Sequence, residues 1–103
     1  MGQHITVANI DQFISGQHRK IRTKGYEFAL FNVDGIIYAL ANRCPHSRGP
    51  LAEGRLIGST VTCPWHGAKF DVTTGQCLAG PATTDVDTYP VHIKDGRIII
   101  ELP

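Results

Sequence analysis

The chain is 103 residues long and carries a net charge of +1 at pH 7, with ten Lys and Arg against nine Asp and Glu. That near-neutral balance leaves no electrostatic footprint for nucleic acid, and the length suits a single domain over residues 1–103 with one modest core and no second, catalytic domain. The longest unbroken apolar run, Ile36–Ala41, is far too short to cross a bilayer, and the polar start at Gln3-His4 lacks the charged-then-apolar layout of a signal peptide, so no membrane partner and a cytoplasmic location are expected. In chain order, residues 3–8 alternate weakly as a strand, and Ile10–Phe13 suffices for one helical turn at most. Strands follow at 19–23 and 26–33, then Asp34-Gly35 signals a hairpin into Ile36–Leu40. Thr60–Thr62 is a short strand, and Tyr89–Lys94 and Arg97–Leu102 flank Asp95-Gly96, a second hairpin. The pattern predicts an all-β fold, an antiparallel β-sandwich with a small subdomain from about 42 to 82 inserted between its strands.

Within that insert, Cys44-Pro45-His46 and Cys63-Pro64-Trp65-His66 twice bring a cysteine beside a histidine, with sixteen residues between the pairs and glycines and prolines around each. Two thiolates and two imidazoles form a metal-ligand set, for which zinc and an iron-sulfur cluster are the contenders. Zinc knuckles space their ligands as Cys-X2-4-Cys or His-X3-5-His, and Cys-X-His is short for that, although a small zinc domain stays open on the residues alone. A binuclear cluster between the loops fits the spacing better, each loop sending its cysteine to one iron and its histidine to the other.

The residues around the ligands have mechanical readings. Pro45 and Pro64 lack an N–H and fix their own φ, which stiffens the loops. Gly49, Gly67 and Gly80 permit tight turns and close backbone approach. Trp65 reads as hydrophobic cover, and Lys69 and Asp71 as solvated or loop-bracing. The third cysteine, Cys77, reads as a buried, inert thiol, and the odd count suits a reducing compartment. His4, His18 and His92 lack a cysteine at ligand spacing and read as ordinary surface or strand histidines. Arg43, Arg48, Arg55 and Lys69 outnumber Glu53 and Asp71 around the loops, either as scattered solvated charges or as a rim suited to an acidic recess on a redox partner.

This paired motif resembles that of the Rieske proteins, which hold one 2Fe-2S cluster with two Cys and two His. The likeness extends to Gly67, Phe70 and Asp71, to Thr74-Gly75, and to Gly80-Pro81-Ala82, which is similar to the family's proline loop over the cluster. The resemblance implies the Rieske fold, with Cys44 and Cys63 on a buried inner iron and His46 and His66 on an exposed outer one. High-potential members of that family add a cysteine in each loop, joined as a disulfide, and a serine and a tyrosine hydroxyl aimed at the cluster. Here those places hold Gly49, Trp65, Ala68 and Phe70.

Two ferric ions, two sulfides and two thiolates cancel to a neutral oxidised cluster, whereas four thiolates would leave it doubly negative, so histidine ligation eases reduction. With the extra donors missing, a potential near the bottom of the two-His range, roughly 150 mV below zero, is expected. That suits a one-electron carrier, not itself an enzyme, between a flavin-containing NAD(P)H reductase and the terminal component of a ring-hydroxylating oxygenase. The alternatives are the small subunit of an assimilatory nitrite reductase and a redox-sensing or structural module.

Overall fold

The computed structural model describes residues 3–43, 49–65, 67–80 and 84–102. Among them run the strands β1 (Gln3–Asn9), β2 (His18–Thr23), β3 (Tyr26–Val33), β4 (Ile36–Ala41), β5 (Arg55–Ile57) and β6 (Thr60–Thr62), followed by β7 (Lys69–Asp71), β8 (Cys77–Ala79), β9 (Thr88–Tyr89), β10 (Val91–Lys94) and β11 (Arg97–Leu102). Single 3-10 turns at Ile10–Gln12 and Leu51–Glu53 are the remaining regular elements. No helix among the described residues is long and apolar enough to cross a membrane.

The strands form three sheets, ordered β1-β11-β10, β2-β3-β4-β9 and β5-β6-β7-β8, with antiparallel pairing throughout. Two-residue turns set the register. Asp34-Gly35 and Asp95-Gly96 have φ of 53° and 90°, and of 52° and 76°, the double positive that matches the twist of a hairpin. Lys24-Gly25, with φ of 50° and 81°, makes a third such turn between β2 and β3 that the sequence hid, because lysine is not a usual occupant of the left-handed region. The expected strand Tyr89–Lys94 is divided. Thr88–Tyr89 pairs with β4 and Val91–Lys94 with β11, and Pro90, which has no N–H to donate to a ladder, stands where the chain passes from one sheet to the other.

β3 explains how the sheets stack. Its run Phe28-Ala29-Leu30-Phe31 is apolar without alternation and wholly buried, as expected of a strand covered on both faces. Phe28 and Leu30 join Phe13, Ile37, Ile98, Ile100 and Leu102 in the core between the first two sheets. Ala29 and Phe31 turn the other way, to a second core with Leu40, Leu51, Val61, Phe70 and Val72. The sandwich sheet β2-β3-β4-β9 is therefore the shared wall between the main core and the inserted sheet. Cys63 is a member of that second core and is 1% exposed.

Candidate metal centre

Both motif loops are closed by backbone pairing at their roots. Arg43 and Pro50 form an isolated antiparallel bridge, and the Leu51 N–H donates to the Asn42 carbonyl at 2.7 Å, which ties together the two ends of the first motif segment. The second is the connection between β6 and β7. Thr62 pairs with Lys69, and the Cys63 N–H donates to the Ala68 carbonyl at 2.7 Å, with Pro64, Trp65 and Gly67 in turns beyond that bond. Gly67 has φ of 77°, where a side chain would be strained, so the glycine there is required by the turn.

The two loops meet at Gly49. This residue is buried, and a Cβ built on it would stand 2.8 Å from the Cys63 Sγ and 3.1 Å from the Trp65 Cβ. Positions 49 and 65 are those that the Rieske resemblance pairs as the site of a disulfide in high-potential members, and in this fold they face each other. Trp65 packs the root of its ring on Gly49 while remaining 51% exposed, so its cover is one-sided. Ala68 and Phe70 are fully buried in the apolar core and bring no hydroxyl to the site.

Of the predicted ligands, Cys63 is described, and Cys44, His46 and His66 lie outside the described residues, as do Arg48, Pro81 and Ala82. What is described fits a thiolate-bound cluster. The Cys63 sulfur is buried at the junction of both loops, and a glycine stands where any larger residue would press on that sulfur. Gly80 differs from the expectation. It has neither a positive φ nor a described neighbour within reach of a Cβ, so neither reason for glycine operates there among the described residues.

Asn42 anchors the first loop. It is fully buried and uses every polar group it has. Its N–H donates to the Glu27 carbonyl at 3.0 Å, its carbonyl accepts from Leu51, its Oδ1 accepts the Ala52 N–H at 2.7 Å, and its Nδ2 donates to Glu27 Oε2 at 3.0 Å. Arg43 adds an ion pair to Glu27 Oε1 at 3.2 Å, which takes one positive charge out of the supposed rim. From the other side, His18 Nδ1 lies 2.5 Å from the Ala52 carbonyl. A carbonyl only accepts, so Nδ1 carries the proton, and His18, a strand residue at the start of β2, also braces the 3-10 turn beyond the loop. His4 and His92 are likewise brought together, both against Glu101.

The Asn42 amide, with Arg43 and Arg22 nearby, holds the Glu27 carboxyl below the usual glutamate pKa, outweighing partial burial, which acts the other way. A lowered folded pKa means that the carboxylate's contribution is present above the unfolded value and is lost as pH falls through the folded one. Thermal stability is therefore expected to decline as pH drops below about 4.3, and Glu27→Gln to flatten that decline. An identical acid limb in the variant, measured by circular dichroism melts, would remove Glu27 from the account.

After the second loop, Asp71 braces a turn, as its loop-bracing reading anticipated. Its Oδ1 accepts from the Thr73 N–H at 2.9 Å and Oγ1 at 2.7 Å, and its carbonyl accepts the Gly75 N–H at 2.7 Å. Gly75 has φ of 79°, and a Cβ there would lie 2.2 Å from the Val86 carbonyl oxygen, so the Thr74-Gly75 step is imposed by close packing of two backbone segments. Cys77 is half-buried against the subdomain core, not fully buried. Lys69 and Arg55 are exposed, and with Glu53, Ile57, Cys63 and Pro64 they border a shallow hollow beside the second loop.

The fold and the described part of the site together define an all-β iron-sulfur protein in which the two motif segments meet over a buried cysteine. The chain belongs to the Rieske [2Fe-2S] domain family, whose model matches residues 3–90. It is 38% identical over 98 residues to the ferredoxin component of the naphthalene 1,2-dioxygenase/salicylate 5-hydroxylase systems of Ralstonia sp., covering 95% of this chain and 94% of that one. Among solved structures, the Sphingomonas yanoikuyae B1 ferredoxin superposes with a TM-score of 0.91 at 30% identity, covering 98% of this chain and all of that one (100%). A chain from the complex of reduced oxygenase and oxidised ferredoxin in carbazole 1,9a-dioxygenase superposes with a TM-score of 0.90 at 28% identity, covering 94% of this chain and 91% of that one. The cofactor of the family is the 2Fe-2S cluster anticipated from the paired motif, and zinc is set aside.

Proposed function

We propose that this chain is a one-electron carrier that takes electrons from a flavin-containing NAD(P)H reductase and delivers them to a terminal oxygenase. In this reading Cys44 and Cys63 hold the inner iron, His46 and His66 hold the outer iron, and residues 1–103 act as one domain. When bound, the cluster supplies reversible one-electron chemistry. The protein's part is to hold it rigidly, exclude water from the sulfur side and leave the histidine side open to a partner. The observation that carries this reading is Cys63, buried at the meeting of the two loops with Gly49 on its sulfur. Chain-length similarity to ferredoxin components of dioxygenase systems supports the partner assignment.

Three properties are expected of the purified protein. Dithionite reduction gives the low-average-g resonance of mixed nitrogen and sulfur ligation, and the midpoint lies roughly 150 mV below zero, since Gly49, Trp65, Ala68 and Phe70 offer neither a disulfide nor a hydroxyl. Stopped-flow mixing with a flavin reductase and NADH reduces the protein, and an oxygenase reoxidises it. A midpoint well above zero, or no turnover with any such pair, would defeat the assignment. Arg55 and Lys69 supply the exposed positive charge near the second loop, so transfer to the oxygenase is expected to slow as ionic strength rises. A rate indifferent to salt would dismiss electrostatic docking while leaving the carrier role intact.

A further inference from the structure

On the outer face of the sheet β1-β11-β10, three side chains from three strands converge. Along β11, Ile98, Ile100 and Leu102 are buried, so the alternate residues Arg97, Ile99 and Glu101 face outward. Register places His4 of β1 directly opposite Glu101, while His92 of β10 pairs with Ile99 and so sits diagonally across from Glu101 on the same face. His4 Nε2 lies 3.4 Å and His92 Nε2 3.2 Å from the same oxygen, Glu101 Oε1, and the imidazole centroids are 5.5 Å apart. One potential ligand atom from each residue falls within 4.8 Å of the other two.

We propose that His4, His92 and Glu101 form a surface site for a divalent transition-metal ion of the zinc type, separate from the iron-sulfur centre. The donor set is two neutral imidazoles and a carboxylate, the combination that suits borderline ions over calcium or magnesium. The spacing agrees with it. Ligands at about 2.0–2.1 Å around a tetrahedral ion stand about 3.4 Å from one another, close to both nitrogen-to-oxygen separations. The third separation, between the two imidazole nitrogens, closes by side-chain rotation alone, since the residues stand on paired strands and are 60%, 52% and 38% exposed. Three protein ligands leave a coordination position open to water, as in zinc sites that are not purely structural.

The two histidines hydrogen-bonded to Glu101, His92 foremost, hold its carboxyl below the usual glutamate pKa. The sandwich sheet β2-β3-β4-β9 and both cores lie between this face and the inserted sheet, so occupancy here does not touch the loops that carry Cys63.

The test is calorimetric titration of the cluster-loaded protein with Zn2+ near neutral pH, with the visible spectrum recorded throughout to show that the iron-sulfur centre stays intact. Wild type is expected to bind one Zn2+ with a micromolar-range constant. His92→Gln and Glu101→Gln each weaken that binding by at least about tenfold, and the double variant loses little more than either single one, because both residues serve one ion. Zn2+ should raise the melting temperature of wild type and leave that of Glu101→Gln unchanged. Because all three side chains are exposed, the variants should fold, which their unchanged spectra and melting temperatures without metal would verify. No binding by wild type, or binding of equal strength in the variants, overturns the proposal and leaves a hydrogen-bonded surface triad.

Discussion

Gly49→Val is expected to yield a folded protein that holds little or no iron, and Gly49→Ala one with iron and sulfide well below full occupancy. The first atom of any side chain at this position would sit 2.8 Å from the Cys63 Sγ, closer than real Cβ contacts come, and 3.0 Å from the Trp65 Cγ, a tight contact that the ring must relieve. Something must move. The Trp65 ring has space, being 51% exposed, but the sulfur does not, because Cys63 is buried and its N–H is tied to the Ala68 carbonyl at 2.7 Å. In the proposed ligation that sulfur grips the inner iron, so a displacement of a few tenths of an ångström falls directly on a metal bond. The check is iron and acid-labile sulfide per chain, with far-ultraviolet circular dichroism to confirm the sheets. Full iron content and an unaltered visible spectrum in Gly49→Val would show that Cys63 is not held as the structure indicates.

Asn42→Leu carries the second large effect, on stability. Leucine is close in size, but it leaves the Ala52 N–H and one side of the Glu27 carboxylate without their partner, at a position that is fully buried. Each stranded buried group costs about 1–3 kcal/mol, so a loss of about 3 kcal/mol is expected, and a fall in melting temperature of roughly 10 °C or more for a domain of this size. Iron should also leave faster, since Asn42 and Leu51 close the root of the first loop. Asn42→Asp separates the causes. It keeps an acceptor for the Ala52 N–H but sets two carboxylates face to face, so its deficit should shrink as pH falls and one of them takes a proton. A melting temperature of Asn42→Leu within a degree or two of wild type would refute the clamp.

Much of this molecule was legible along the chain, and the reasons are local. The Asp34-Gly35 and Asp95-Gly96 turns, with the apolar stretches beside them, marked the hairpins because turn chemistry and strand alternation are properties of neighbouring residues. The Cys-X-His and Cys-X-X-His steps marked the family and its 2Fe-2S cluster because a ligand motif is a pattern of residue types at fixed steps. The short strands β5, β7 and β8, three residues each, have too little periodicity to read and lack the all-β-branched run that marks the equally short β6, Thr60-Val61-Thr62. Lys24-Gly25 escaped notice because its geometry is imposed by the strands it joins.

The remaining features depend on residues far apart in the chain. Glu27 and Asn42 are fifteen positions apart, and His18 and Ala52 thirty-four, so nothing in either neighbourhood announces the clamp or the brace on the first loop. Along the chain Arg43 reads equally as a solvated or a rim charge, and only the fold sets Glu27 3.2 Å from it; His4 and His92 carry no mark of each other, and only sheet register sets both against Glu101. Residue type and short-range spacing by themselves determined the all-β class, the family and the chemistry of the metal group, since those are written in turns, alternation and ligand steps. Only the tertiary structure decided which polar groups satisfy one another and which surface histidines meet, because pairing across sheets depends on register and on the stacking of layers, which no local stretch encodes.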